Sequence, residues 1–385
     1  MKKIALLSLY FLLIIPDVFS QSVFYRSALY FDPFYDIYSK NYLSVKAAGK
    51  GYTGIAADND LSGTILNPAS LTQKNKFQIY GEYIYKSEVP YLYKDNENTT
   101  FEELNPCMLA GISYKLSNDF SVAALYENNN GFSISNAVMD VSGELTGEYF
   151  YENMSISSVV IPIVYSPEKM LKFGINLKYS FYSYETENIS NYQENESFGK
   201  FVPDFGVIYK PIDGLSFGLT FTPEVSENVE LTTTDTTLTY PDPNIFPMKI
   251  GFGVNYTFSK TPLSLSADYT YMNTSTDNDD SEEKDGSSGF QMNNRNDFNF
   301  GMEYTINKNV IIRTGIFIIK DFRDLEDEVF IFVANPGSYS QTFGTLGATV
   351  NIDKFNLNLS VIDSHIFSSG NVTQTQVDFG AGYNF

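Results

Sequence analysis

Three glycines, Gly49, Gly51 and Gly54, stand in "AAGKGYTGIAADND" (residues 47–60) at the spacing of a dinucleotide-binding turn. That chemistry needs a strand before the turn, a helix after it and a compartment that holds nucleotides. No helical repeat follows the glycines, and the pattern of a phosphate loop fails because Lys50 is not followed by Ser or Thr after the required glycine spacing. Other chemistry is sparse. His365 is the only histidine, so neither a His-centred triad nor a His-rich metal site can be built from this chain alone. Cys107 is the only cysteine, which excludes an intrachain disulfide and a redox pair. The acidic run "DNDDSEEKDG" (277–286) lacks calcium-loop spacing and reads as a solvated loop. No catalytic residue, metal or cofactor is assigned, and the chain does not read as an enzyme.

The chain begins as an exported one. Lys2 and Lys3 precede the short apolar run "IALLSLYFLLII", and Val18 and Ser20 occupy the −3 and −1 positions of a cleavage site before Gln21, so residues 1–20 are expected to be a cleaved signal peptide. No Cys stands at that point, which excludes a lipoprotein signal. No later window has the 18 or more apolar residues of a spanning helix. Aromatic residues make up 16% of the chain, with Tyr 29, Phe 32 and no Trp. Formal net charge is −21, and the signal holds Lys2, Lys3 and Asp17, so the exported chain carries −22. That charge opposes nucleic acid as a partner.

From residue 76 onward, apolar and polar residues alternate with period two. "DFNFGMEYT" sets Phe298, Phe300, Met302 and Tyr304 against Asn299, Gly301, Glu303 and Thr305, and "LSLSADYTY" and "KFGINLKYSF" repeat the pattern. A strand with one oily and one wet face produces this; helical spacing does not. About fourteen such segments are expected, near 76–86, 107–116, 119–127, 155–166, 171–184, 200–210, 214–223, 247–259, 262–272, 296–306, 309–319, 341–352, 354–363 and 372–385. Tight turns such as "SND" (117–119), "PIDG" (211–214) and "INKN" (306–309) follow every second strand. Long polar stretches alternate with them, including "ENNNGFSISNAVMDVSGELTGEYFYENM" and "NTSTDNDDSEEKDGSSGFQMNNRN".

Short turns at one rim and long loops at the other predict an all-β fold, a transmembrane antiparallel β-barrel in the bacterial outer membrane. A soluble sandwich would predict loops of similar length at both ends and gives no role to the aromatic strand ends, such as Tyr83, Tyr85, Tyr179 and Phe181, that suit an interfacial girdle. The last strand, "VDFGAGYNF", alternates Val377, Phe379, Ala381, Tyr383 and Phe385 on one face. It resembles the C-terminal signal read by barrel-assembly machinery, with Phe379, Tyr383 and Phe385 as its aromatic positions.

The glycine stretch carries a further resemblance. "AAGKGYTGIAADNDLSGTILNPASL" resembles the N-terminal region of the FadL/TodX family of fatty-acid and hydrocarbon transporters of the outer membrane, in its Ala/Gly-rich run, its acidic step and its "NPA-x-L". The matching positions are Gly51, Gly54, Ala56, Ala57, Asp58, Asp60, Asn67, Pro68, Ala69 and Leu71. The resemblance is clear over about residues 47–71; beyond that it rests on architecture. The motif also resembles the PorV/PorQ-type barrels of protein secretion. The resemblance implies that residues 21–75 form a plug, or hatch, inside a barrel of residues 76–385, and that the function is passive uptake of long-chain fatty acids or other hydrophobic compounds. The alternative it implies is a scaffold or shuttle that meets secretion-system proteins. An adhesive or structural porin-like protein is a third reading.

Inward positions are informative in two ways. Gly111, Gly174, Gly206, Gly218, Gly251, Gly253, Gly301, Gly380 and Gly382 fall on the lumen face, where missing side chains make room for something. Glu82, Lys115, Lys172, Lys178, Asp204, Lys210, Asp268, Glu303, Arg313 and Asp378 fall there too, giving a charged lumen able to pair with Lys50, Asp58 and Asp60. Candidate contacts for a hydrophobic small molecule or a protein partner are the apolar residues of the long loops: Tyr91, Leu92, Phe132, Ile134, Phe330, Ile331 and Phe332. Outer-membrane lipid and lipopolysaccharide are the expected surroundings.

Overall fold

A computed structural model describes residues 43–58, 61–72, 76–86, 89–91, 100–104, 107–139, 145–187, 193–232, 237–273, 293–320, 341–367 and 375–385. The expected signal peptide, most of the loop "NTSTDNDDSEEKDGSSGFQMNNRN" and residues Asp60, Leu92, Phe330, Ile331 and Phe332 lie outside them.

Nineteen strand segments form one antiparallel sheet. They are β1 (Phe77–Lys86), β2 (Val89–Tyr91), β3 (Thr100–Leu104), β4 (Cys107–Lys115), β5 (Phe120–Met139), β6 (Leu145–Glu168) and β7 (Leu171–Glu187). There follow β8 (Gln193–Phe201), β9 (Asp204–Ile212), β10 (Leu215–Thr222), β11 (Val225–Thr232), β12 (Thr237–Phe246) and β13 (Lys249–Thr257). The last are β14 (Leu263–Met272), β15 (Arg295–Asn307), β16 (Val310–Ile319), β17 (Gln341–Ile352), β18 (Phe355–Asp363) and β19 (Thr375–Asn384).

Five wall strands are each made of two consecutive segments: β1 with β2, β3 with β4, β8 with β9, β10 with β11, and β12 with β13. Thus β8 pairs with the far half of β7 and β9 with its near half. Counted so, fourteen strands make the wall. The wall closes where β1 meets β19, from Gln78↔Asn384 to Lys86↔Gln376. The terminal Phe385 donates its backbone N–H to the Phe77 carbonyl at 3.0 Å, and the two rings lie 5.1 Å apart. The aromatic C-terminal strand is therefore part of the closing seam.

The tight turns have local causes. Asn307 accepts from the N–H groups of Asn309 and Val310 at 2.8 and 3.0 Å, and Ser117 accepts from Asp119 and Phe120 at 3.2 and 3.1 Å. Gly214 turns at φ 84, where a side chain would be strained.

Period-two alternation sorts the faces as the sequence predicts. Phe298, Phe300, Met302 and Tyr304 project outward, with Phe300 57% exposed, while Asp297, Asn299 and Gly301 are buried inside. An outer belt of this kind suits lipid, not water. All ten expected inward charges lie on the lumen side, with Glu82, Asp268, Arg313 and Asp378 buried.

Two expectations need correction. The stretch "ENNNGFSISNAVMDVSGELTGEYFYENM" is not a loop. β5 and β6 continue through it as a paired hairpin to Met139↔Leu145. Phe132 and Ile134 therefore belong to a strand. The alternation of Phe132, Ile134 and Val138 with Ser133, Ser135 and Ala137 is itself a strand signal, hidden by the polar run that precedes it. The segment expected at 200–210 also needs new bounds, because its wall strand runs from Gln193 to Ile212 and is broken at Val202 and Pro203 into β8 and β9.

Candidate functional site: the filled lumen and the wall beside it

Residues 43–58 and 61–72 occupy the lumen and are almost wholly buried. They hold one helical turn, α1 (Val45–Ala48), and two 3₁₀ turns, Leu61–Ile65 and Pro68–Ser70. So little regular structure leaves many backbone groups without local partners, and buried backbone groups require them. The wall supplies them. The Glu82 carboxylate accepts from the N–H groups of Ser44 and Val45 at 2.7 and 2.9 Å and from the Tyr80 hydroxyl at 2.6 Å. Asp268 accepts from Gly54 and Ile55 at 2.7 and 2.9 Å, and the Thr345 hydroxyl accepts from Gly51 at 2.9 Å. In the other direction, Asn176 donates to the Thr64 carbonyl at 2.9 Å and Ser216 to that of Ala56 at 2.7 Å.

Replacing Glu82 with Ala removes one acceptor from three buried donors. A loss of roughly 3 kcal/mol in the attachment of this segment is expected, read as faster limited proteolysis within residues 43–72.

The glycines that raised the nucleotide question are explained by this packing. Gly51 has φ 64, and a Cβ there would lie 2.5 Å from the Phe300 carbonyl oxygen and 2.8 Å from the Ile316 nitrogen. A Cβ on Gly49 would lie 2.7 Å from the Cα of Gly347. Backbone thus lies directly on backbone. Across the contact, side chains on Gly174, Gly206, Gly218, Gly251, Gly253 and Gly301 would collide with residues 50–69. Gly111, Gly380 and Gly382 also face inward, yet they accommodate the wall side chains Leu125 and Tyr80. Sequence reasoning missed Gly315 and Gly347, which face Gly51 and Gly49.

Asn67 is an N-cap. Its side chain accepts from the Ala69 N–H at 2.9 Å and donates to the Ile55 carbonyl at 2.6 Å, and Pro68 opens the 3₁₀ turn. "NPA" therefore ties two parts of the inner segment together against Gly174 and Gly206. Leu43, Ala47, Tyr52, Leu61 and Leu71 join Tyr80, Leu109, Leu125, Phe317 and Phe343 of the wall in one apolar cluster. Tyr52 meets Phe317 edge-on at 5.1 Å, and Phe317 stacks on Phe343 at 4.7 Å. Asp58 pairs with Lys172 at 2.6 Å and with Lys210. Burial pushes its carboxyl up, but the two lysines outweigh burial and hold it below its ordinary value.

Beside the filled lumen the wall is interrupted. Pro203, Pro223 and Pro247 break three adjacent wall strands, and the last pairs below the breaks are Phe221↔Phe205 and Thr222↔Lys249, so the breaks share one level. Proline lacks the N–H that a ladder needs. Above this level, among the described residues, β8 meets β11 only at Thr232↔Asn195. The wall therefore has a seam between β8 and β11. Rings cover its lumen side: Tyr182 stacks on Phe198 at 4.8 Å, and Phe198 meets Phe246 at 6.5 Å. Charge lies beneath, where Lys178 pairs with Asp204 at 3.3 Å and Thr222 donates to Asp204 at 2.7 Å. The seam is amphipathic.

The structure brings Gly51, Gly54, Ala56, Asp58, Asn67, Pro68 and Ala69 together in the lumen. Tyr91 lies in β2, and Phe379, Tyr383 and Phe385 lie at the barrel closure. A cavity of about 540 Å³ remains at the short-turn rim, between the inner segment and the turns at 169–170 and 211–214.

A family profile described as Gram-negative porin matches residues 138–385. No curated protein matches the sequence. Among solved structures, the toluene transporter TbuX of Ralstonia pickettii is similar at 14% identity and a TM-score of 0.60, over 90% of this chain and 98% of that one. The toluene transporter TodX of P. putida aligns at 12% identity and 0.62, over 88% and 97%. A Pseudomonas aeruginosa FadL homologue aligns at 11% and 0.64, over 89% and 98%. At these identities the likeness establishes the fold.

Proposed function

The chain belongs to the Gram-negative porin family, and from that premise we propose that it is an outer-membrane channel for passive uptake of hydrophobic or amphipathic compounds, long-chain fatty acids among them. The observation that carries this reading is the filled lumen. A porin for small hydrophilic solutes needs an open aqueous channel, whereas here residues 43–58 and 61–72 are bonded to the wall around the lumen. Under this reading residues 21–75 act as the plug, and a solute that prefers lipid leaves through the amphipathic seam instead of crossing water. The fold neighbours described as a toluene transporter and a monoaromatic hydrocarbon channel support the same class of solute. Transport needs no catalytic residue here, because the driving force is the solute's own gradient.

The test is expression in a Gram-negative host that lacks its own fatty-acid uptake barrel. Labelled oleate or toluene is expected to enter well above the empty-vector rate, with no gain in uptake of a hydrophilic sugar. Equal uptake of all three would overturn the reading. A secreted protein co-purifying with the barrel, with uptake at background, would instead support the secretion-scaffold function.

A further inference from the structure

The cavity at the short-turn rim opposes the charge of the whole molecule. The chain carries −21, yet five cationic side chains and three carboxylates line this space. Two of the carboxylates are already engaged, Asp58 by Lys172 and Lys210 and Glu303 by Arg313 at 2.7 Å. The third, Asp213, stands exposed on a turn. Lys50 is the decisive group. It is only 6% exposed, its stem passes over Gly301, it lines the cavity, and among the described residues it makes no ion pair. Burial pushes its ammonium down from its ordinary value, against the pull of Glu303. Burying a cation is costly, and an arriving anion would add to the partial compensation that Glu303 gives it.

We propose that this cavity is a binding site for the oxyanion head group of a small organic molecule, a carboxylate or a phosphate, with Lys50 as its principal contact and Lys46, Lys210 and Arg313 framing it. The cavity opens at the short-turn rim, on the other side of the inner segment from the seam, so the site takes its anion from that rim and does not depend on the uptake route. Cavity volume agrees: about 540 Å³ exceeds a head group alone and leaves room for part of an alkyl chain.

The experiment is calorimetric titration of the full barrel in nanodiscs with hexanoate, hexan-1-ol and inorganic phosphate. Hexanoate is expected to bind and hexan-1-ol, with the same chain and no charge, to bind at least about tenfold more weakly. Lys50→Met keeps the stem and removes the charge, and it should weaken hexanoate about tenfold or more. Lys169→Glu, at the exposed rim of the same cavity, should weaken it about threefold through charge alone and keeps the test open if Lys50→Met does not fold. Phosphate displacing hexanoate would extend the site to phosphate heads; phosphate without effect would restrict it to carboxylates. Hexan-1-ol binding as tightly as hexanoate, or hexanoate indifferent to both substitutions, would overturn the site. Binding lost in Lys50→Met with oleate uptake absent from the native barrel would leave the site standing and remove the uptake function.

Discussion

Deletion of residues 43–72 is expected to raise the conductance of the barrel in planar bilayers by about tenfold or more, since a wall of this strand number encloses a lumen too wide for its own side chains to fill. The intact protein should conduct little. The inner segment is joined to the wall through Glu82, Asp268, Thr345, Asn176 and Ser216, so its removal leaves five polar side chains facing empty space. Water would enter to satisfy them, and ions would follow. The apolar cluster around Phe317 and Phe343 lies on one side and cannot close the gap alone. Gly51→Val tests the same point at full chain length. Its β-branched side chain is strained at φ 64 and meets the backbone of β15 and β16, so it should give a flickering conductance between the two extremes. Conductance unchanged in both variants would mean that the segment does not seal the lumen.

Much of this arrangement is legible in the sequence because a barrel wall imposes a strict period of two. Every inward charge expected from alternation is inward, since a one-residue error would have put Asp268 or Arg313 into lipid. The inward glycines, read as room for something, mostly face the inner segment. What the sequence hides is pairing between distant residues. Glu82 reads as one more lumen charge, and nothing local shows that it holds the N–H groups of Ser44 and Val45. Gly315 and Gly347 face Gly51 and Gly49, and Gly315 is legible by the same alternation, two positions after the inward Arg313. The long β5–β6 hairpin is missed for a different reason. Asn128, Asn129, Asn130 and Gly131 interrupt the alternation before Phe132 and Ile134 resume it, so the hydrophobic signal fades while the ladder continues.

The prolines show how a residue readable as a simple breaker becomes informative only in register. Taken singly, Pro203, Pro223 and Pro247 suggest strand ends. The pairings place all three at one level of adjacent strands, directly above the last rungs of the wall. The backbone on either side of the seam is then free to separate without breaking a ladder, and among the described residues only Thr232↔Asn195 spans its far end.

Stapling that far end should therefore abolish most transport while strengthening the fold. Asn195→Cys with Thr232→Cys places two cysteines at directly opposed positions, within reach of a disulfide. Oxidation is expected to reduce labelled oleate uptake about tenfold and to raise the melting temperature of the barrel, and reductant should restore the original rate. The opposite signs of the two effects matter. A variant that merely misfolds loses both stability and uptake, whereas a locked seam loses only uptake. The native Cys107 lies on β4, far along the wall from both positions, and Cys107→Ser removes it from the assay. If the oxidised, stabilised barrel carried oleate at the native rate, the solute would be passing along the lumen axis, and displacement of the inner segment would become the transport step. A staple that blocks uptake places that step in the wall, where the aromatic arch of Tyr182, Phe198 and Phe246 meets the Lys178–Asp204 pair.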